Sequence, residues 1–140
     1  MAQRLVPEAW TKAAEWAGSQ RRSLYQVFFA LLPMVQEAHR ASDVDLLLRG
    51  YAFAEWCARH RTRSIWNAAG VAFYEHLFDT GLCAEQVVPW LTSETYADVK
   101  GLFAMRADGA VASGIEHAKR ARRESQATRI AARIKDAEIE

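Results

Sequence analysis

Few residues in this sequence have types that could support catalysis, and Glu75-His76 is the most suggestive pair among them. Adjacent residues of an α-helix point about 100° apart, because the helix has about 3.6 residues per turn. A zinc-binding HExxH motif instead places two histidines one turn apart on the same helix face. The spacing therefore argues against a metal ion held jointly by this pair.

The other histidines also lack the spacing of a metal or acid–base site. Glu55, His60 and His76 could converge across two neighbouring helices, but a lone helical histidine is more often a hydrogen-bonded structural residue. His39 and His117 add no ligand spacing. We predict no metal site.

The two cysteines and the missing motifs lead to a similar expectation. Cys57 and Cys83 have no CxxC spacing, and Cys57 is predicted to be a reduced thiol in the core. The sequence has no glycine-rich phosphate loop and no GxSxG motif. We therefore predict no catalytic residue and no cofactor. An enzyme with a pocket in a helical bundle remains an alternative, since active sites can assemble from distant residues.

Polar residues inside a strongly apolar stretch suggest a candidate binding groove. Glu55 and Glu75 lie among aromatic residues, where an unpaired carboxylate would be costly. The expected partners are backbone N–H groups or the side chains of Arg49, Arg59 and Asn67. One interpretation is purely structural. In the other, a groove for a protein or a small ligand is lined by Glu55, Arg59, Asn67, Tyr74, Glu75 and His76.

The element that must position these residues is a helical hairpin between Ser42 and Asp79. Its first helix is predicted to begin at Ser42 or Asp43, whose side chains can cap the first turn, and to be apolar on almost every side. The second is predicted to run without a break from Ser64 to Asp79, before a stop at Gly81. Only three residues separate them, which predicts an antiparallel hairpin at the centre of the core.

The hairpin carries two motifs, Tyr51-x-Phe53-x-Glu55-Trp56 and, after the turn, Asn67-x3-Val71-Ala72-Phe73-x-Glu75-His76-Leu77. Between Phe28 and Arg106 the chain resembles an uncharacterised bacterial family of all-helical domains. The specific part of this resemblance lies in the two hairpin motifs. That family has no established activity and includes members thought to lie near toxin–immunity systems. The resemblance implies an all-helical fold and an expected role as an immunity-like inhibitor or an adaptor.

The flanking segments are predicted to complete an irregular all-α bundle of about six helices around the hairpin. Pro7 suits the first turn of a helix. Pro33 falls inside a second long helix and predicts a kink or two helices end to end. After the hairpin, a short helical turn is broken near Pro89, and Thr92 or Ser93 caps a helix that closes the core.

A glycine-containing stretch at residues 107–114 predicts a division into a helical bundle domain, 1–114, and a basic helical extension rich in alanine and arginine, 115–140. The extension has seven basic and five acidic residues. Three interpretations remain open: a solvated helix, a helix lying across its own domain or a second copy, and a nucleic-acid contact. That contact would use Lys119, Arg120, Arg122, Arg123, Arg129 and Arg133.

Composition adds little that is specific. The 140 residues are 51% apolar and 25% charged, and the net charge of +1 gives no general attraction to nucleic acid or acidic lipid. The absence of a signal core or a long apolar run predicts a cytoplasmic protein with no membrane partner. We predict a non-catalytic bacterial protein-interaction domain with an unknown protein partner and a possible homodimer. A nucleic-acid-associated protein is the alternative and an enzyme the third hypothesis.

Overall fold

The computed structural model describes residues 1–106 and 124–139, and the side chains of residues 1–103 and 128–139. These ranges contain eight α-helices, two 3₁₀-helices and no β-strand, which confirms the predicted all-α class. The α-helices are α1 (Ala2–Leu5), α2 (Pro7–Ala17), α3 (Leu24–Ala41), α4 (Val44–Ala58), α5 (Arg63–Ala72), α6 (Ala84–Val87), α7 (Ser93–Arg106) and α8 (Glu124–Ile139). The 3₁₀-helices are Tyr74–His76 and Val88–Trp90. The single turn of α1 has no counterpart in the sequence pattern.

Helix α4 lies at the centre of the molecule and is buried on almost all sides, as its sequence predicts. It contacts α1, α3, α5, α8 and the second 3₁₀-helix. The carboxylate of Asp43 caps it by accepting a hydrogen bond of 3.0 Å from the N–H of Leu46. Its buried residues are Leu47, Gly50, Tyr51, Ala52, Phe53, Ala54, Glu55 and Cys57. Since six of these are consecutive, this part of α4 has no face left for solvent.

Aromatic rings from four elements fill the space around α4. Phe53 stacks on Phe28 of α3, with 5.1 Å between ring centroids. Tyr51 stacks on Trp90 and meets the edge of Phe73, at 5.9 Å in both cases. Such pairs contribute about 0.5–1.5 kcal/mol each beyond the area that they bury. The rings therefore join α3, α4, the end of α5 and the second 3₁₀-helix into one core.

The second hairpin helix is shorter than predicted, so the expectation of one helix from Ser64 to Asp79 is wrong. Helix α5 ends at Ala72, where Phe73 leaves the helical region with φ −128° and ψ −70°. Phe73 and Tyr74 are both almost completely buried. In a continued helix these neighbours would point about 100° apart. The break and the following 3₁₀-helix allow both rings to enter the core.

A buried side chain of α3 contacts the backbone that follows this break. Gln36 of α3, only 4% exposed, donates a hydrogen bond of 3.1 Å to the carbonyl oxygen of His76. The same oxygen accepts a hydrogen bond of 3.1 Å from the N–H of Asp79, so the side chain of α3 and the backbone share this acceptor. Gln36 thus connects α3 to the irregular backbone that follows α5.

The N-terminal half follows the sequence closely, apart from Pro33. Pro7 is the first residue of α2, and Gly18 ends that helix with a φ of +57°, a value that glycine adopts easily. Helix α3 is continuous through Pro33, which lies on its exposed side. The alternative of two helices end to end is therefore wrong. A capping box formed by Ser23 and Gln26 opens α3.

Helix α8 lies across α4, in agreement with one of the three interpretations of the C-terminal segment. Ile130 is completely buried and Ala137 is 6% exposed. Arg4 donates a hydrogen bond of 2.6 Å to the carbonyl oxygen of Ala137. Arg133 lies 3.3 Å from the carboxylate of Asp45. The predicted boundary at residues 107–114 lies outside the described residues, and the division into two domains stays a prediction.

The contact between α3 and α4 depends on the absence of a side chain at Gly50. A Cβ atom there would lie 2.7 Å from Cγ2 of Val35, a short and stiff side chain that cannot easily move away. Alanine favours a helix more than glycine does, yet we expect Gly50→Ala to lower the free energy of unfolding by a net of about 1–2 kcal/mol. Urea denaturation measures this.

Gly101 is the matched control, because it also lies inside a helix but has no neighbouring atom within 4 Å of an added Cβ. Gly101→Ala is therefore expected to raise the free energy of unfolding by up to about 1 kcal/mol. Equal stabilisation by both substitutions would contradict the close contact of α3 with α4.

Candidate functional site

The residues predicted to line one groove do not all lie together. Glu55 and Arg59 line a cavity of about 590 Å³. Asn67 and Tyr74 line a second cavity of about 450 Å³. The shared groove stays a prediction, and the structure distributes its candidate residues between two surfaces.

The remaining two candidates, Glu75 and His76, lie on the first 3₁₀-helix and line neither cavity. Nδ1 of His76 lies 2.6 Å from the carboxylate of Asp79, so the imidazole has a hydrogen-bond partner three residues further along the chain. The ring of His60 lies 5.0 Å from that of Trp56 in a tilted arrangement, and its Nδ1 accepts a hydrogen bond of 3.1 Å from the N–H of Thr62. The convergence considered for Glu55, His60 and His76 thus brings only the first two to one cavity. No three His, Cys, Asp or Glu side chains in the described ranges are grouped to hold a metal ion.

Other titratable groups of the core are held neutral by burial. Burial lowers the pKa of His39 to about 4, and its Nε2 lies 2.8 Å from the hydroxyl of Tyr51. Burial raises the pKa of the Cys57 thiol and of the Tyr74 phenol. Cys57 is completely buried, as predicted, and Cys83 is exposed; neither forms a disulfide. His39, Cys57 and Tyr74 are therefore uncharged near pH 7.

The first cavity lies between the end of α4, the start of α7 and helix α8. We call it the charged cavity. Glu55 lines it with 4% of its surface exposed. The hydroxyl of Thr92 donates a hydrogen bond of 2.7 Å to Oε1 of Glu55 and accepts one of 3.2 Å from the N–H of Thr95. Nε of Arg59 lies 3.9 Å from the same Oε1, and Nη1 contacts Glu94. The carboxylate of Glu55 is thus satisfied mainly by groups of the protein itself.

Thr92 is the member of this cluster that the sequence does not reveal. Arg59 is a predicted partner of Glu55, since it lies one helical turn further on. Thr92 is predicted as a helix cap, and it does cap α7. Its second role as a hydrogen-bond donor depends on the approach of α7 to α4, which local sequence patterns do not contain.

The second cavity is the α5–α7 groove, between the outer face of α5 and the middle turns of α7. Trp66 and Val71 line it and are each 43% exposed, although both are large and apolar. Asp98 is the one charged residue among the described side chains that line it. Asn67 donates a hydrogen bond of 2.8 Å to the hydroxyl of Tyr25, which fixes the amide. The other lining residues are Ala58, Gly70, Tyr74, Val99 and Leu102.

The candidate nucleic-acid contact is only partly within the described residues. Arg129 and Arg133 are exposed on α8, and Arg133 pairs with Asp45. Lys119, Arg120, Arg122 and Arg123 lie outside the described ranges. The nucleic-acid hypothesis stays a prediction.

Residues 4–104 match the family model described as "Domain of unknown function (DUF7674)". The chain belongs to this family. The match covers α2 to α6 completely and most of α7, so the α5–α7 groove lies within the family domain, whereas α8 lies outside it. No curated protein and no solved structure matches the chain. None of the helices in the described ranges is long and apolar enough to span a membrane.

Thr92→Val tests the double role of the Thr92 hydroxyl. The substitution removes the donor to a buried carboxylate and the cap of α7, so we expect the free energy of unfolding to fall by about 2 kcal/mol. Thr92→Ser keeps the hydroxyl and is expected to restore most of the loss. Urea denaturation of the variants measures both values.

Thr95 provides a matched control one turn further along α7. Its Oγ1 is buried and has no hydrogen-bond partner within the described part of the chain. Replacing an unsatisfied hydroxyl by a methyl group of similar shape costs little, so we expect Thr95→Val to be neutral or stabilising. If Thr95→Val lowered the free energy of unfolding as much as Thr92→Val does, this would contradict the assigned hydrogen bonds.

Proposed function

We propose that this chain is a non-catalytic protein-interaction domain whose α5–α7 groove binds an amphipathic helix of a partner protein. The observation that carries this proposal is the exposure of Trp66 and Val71 beside a concave apolar surface. Tryptophan is enriched among the residues that dominate binding energies at protein interfaces. Helix α5 holds both side chains on a rigid element, which lowers the entropic cost of binding.

The charge of the groove supports the choice of partner. Among the described side chains, Asp98 has no ion-pair partner and is the one charged residue that lines the groove. A helix that inserts apolar side chains between α5 and α7 would gain further if it placed a lysine or arginine beside Asp98. The proposed partner segment is therefore an apolar helix face flanked by a basic residue.

The polar groups of the groove favour binding over catalysis. Asn67 is occupied by Tyr25, and burial raises the pKa of Tyr74, so its phenol stays protonated near neutral pH. Neither group is arranged as a nucleophile with a base, as catalysis of acyl or phosphoryl transfer would require.

We further propose that the protein is a bacterial, cytoplasmic immunity-like inhibitor or adaptor. The support is the resemblance of the hairpin motifs to a family with members thought to lie near toxin–immunity systems, together with a groove inside the family domain. Such a protein acts by covering a surface of its partner and needs no chemistry of its own. A homodimer remains compatible with this role, as a second copy could present the groove twice.

Selection from a library of displayed helical peptides tests the proposed groove, with the purified full-length chain as bait. We expect the recovered peptides to share an apolar face with a neighbouring lysine or arginine. Fluorescence polarisation then gives their affinities. Trp66→Ala should weaken binding by about 30-fold or more, the loss typical of an interface hot spot. Asp98→Lys should abolish the preference for a basic residue.

Trp16 supplies the matched control. It is 51% exposed, like Trp66 a tryptophan on a helix surface, but it lines none of the three described cavities. Trp16→Ala should leave the affinities unchanged. Peptides that bind equally well to the Trp66→Ala variant, or a selection that recovers no helical peptide, would contradict the proposal.

A further inference from the structure

A third cavity, of about 510 Å³, lies where the segment between α2 and α3 passes the start of α5. It differs from the other two described cavities in the charge of its lining. Among the described residues, three carboxylates line the charged cavity and one lines the α5–α7 groove. None of the described carboxylates lines the third cavity, whose described residues are Trp10, Gln20, Arg21, Arg22, Ser23, Leu24, Val27 and Ile65. We call it the arginine cavity.

The two arginines of this cavity have no anionic partner in the described parts of the chain. The guanidinium of Arg22 lies over the ring of Trp10, 4.0 Å from its centroid. A cation over an aromatic face is attracted to the ring, and the planar guanidinium still directs its N–H groups outward at its edge. Trp10 therefore holds one positively charged donor in place before any ligand arrives.

Neutral donors and an apolar wall complete the cavity. Oγ of Ser23 already accepts a hydrogen bond of 3.2 Å from the N–H of Gln26, so its own O–H remains able to donate. The amide of Gln20 is exposed at the rim. The lining also includes three apolar side chains from α3 and α5, namely Leu24, Val27 and Ile65.

Charge and shape together restrict the ligand. Two adjacent arginines without a carboxylate repel each other and attract an anion, and arginine matches the geometry of carboxylate and phosphate oxygens. Inorganic phosphate would leave the apolar wall uncovered, while an apolar molecule would leave the guanidinium groups unpaired. The best match is a molecule that carries both parts.

We propose that the arginine cavity binds a small organic anion, with a carboxylate or phosphate group between Arg21 and Arg22 and an apolar body against Leu24, Val27 and Ile65. This site shares no residue with the α5–α7 groove. A negative result at one site therefore does not contradict the other, and each can be tested with the other intact.

Isothermal titration of the full-length chain with phenyl phosphate and with benzoate tests this site, alongside inorganic phosphate and benzyl alcohol. We expect millimolar or tighter binding of the two aromatic anions, weaker binding of inorganic phosphate and no binding of benzyl alcohol. Arg21→Gln and Arg22→Gln should each weaken the binding of phenyl phosphate by about tenfold, the loss of one charge-assisted hydrogen bond. Arg22→Lys keeps the charge without the planar donor edge, and its affinity for phenyl phosphate should lie between that of the unsubstituted chain and that of Arg22→Gln.

Lys100→Gln is the matched control, since it removes one positive charge from an exposed position of α7 that lines no described cavity. It should leave the affinity for phenyl phosphate unchanged. The indole N–H resonance of Trp10, assigned through Trp10→Phe, should shift when phenyl phosphate binds. Far-UV circular dichroism confirms that each variant is folded.

Three results would overturn the proposal. The first is no heat and no Trp10 shift with either aromatic anion at about 10 mM, well above the millimolar range that two charged donors should reach. The second is binding that Arg21→Gln and Arg22→Gln leave unchanged. The third is a single-stranded oligonucleotide that binds through these arginines far more tightly than phenyl phosphate, which would assign the cavity to nucleic acid instead.

Discussion

The burial of the middle of α4, residues 50–55, is the constraint on which the rest of the structure depends. Residues 50–55 are all buried, so this part of the helix has no solvent face, and neighbouring elements must surround it. Gly50 allows α3 to approach closely on one side, and α5 follows on another because only a short connection separates it from α4. Helix α8 covers a further side. The positions of the cavities follow, since they lie where these surrounding helices diverge.

Glu55 is the one charged residue in this buried stretch, and it connects the core to the surface that we propose is functional. Its hydrogen bond with Thr92 fixes the start of α7 against α4. The residues that α7 contributes to the α5–α7 groove, Asp98, Val99 and Leu102, follow within the next three turns. A buried polar pair of this kind favours one arrangement of two helices over others, because a shifted helix would leave the carboxylate without its donor. The buried hydrogen bond between Glu55 and Thr92 thus helps to position the residues of the α5–α7 groove.

Much of the fold is predictable from the sequence because it depends on local chemistry. The cap at Asp43, the start of α2 at Pro7 and the burial of α4 all follow from neighbouring residues. The break after Ala72 does not, since it depends on which rings the rest of the core can accept. Tertiary packing likewise places Glu55 and Arg59 at one cavity and Asn67 and Tyr74 at another, while Glu75 and His76 line neither. The arginine cavity was not predicted either, although Arg21-Arg22 without a nearby acidic residue in the sequence is a usable signal.

Native-state hydrogen exchange measured by NMR tests the central role of α4 most directly. If the other helices depend on it, the amides of residues 50–55 should exchange only through global unfolding, with the same free energy that urea denaturation gives. The amides of α7 and α8, which cover the core from outside, should exchange at lower free energies. Exchange of α4 through a local opening, at a lower free energy than the amides of α8, would contradict the account.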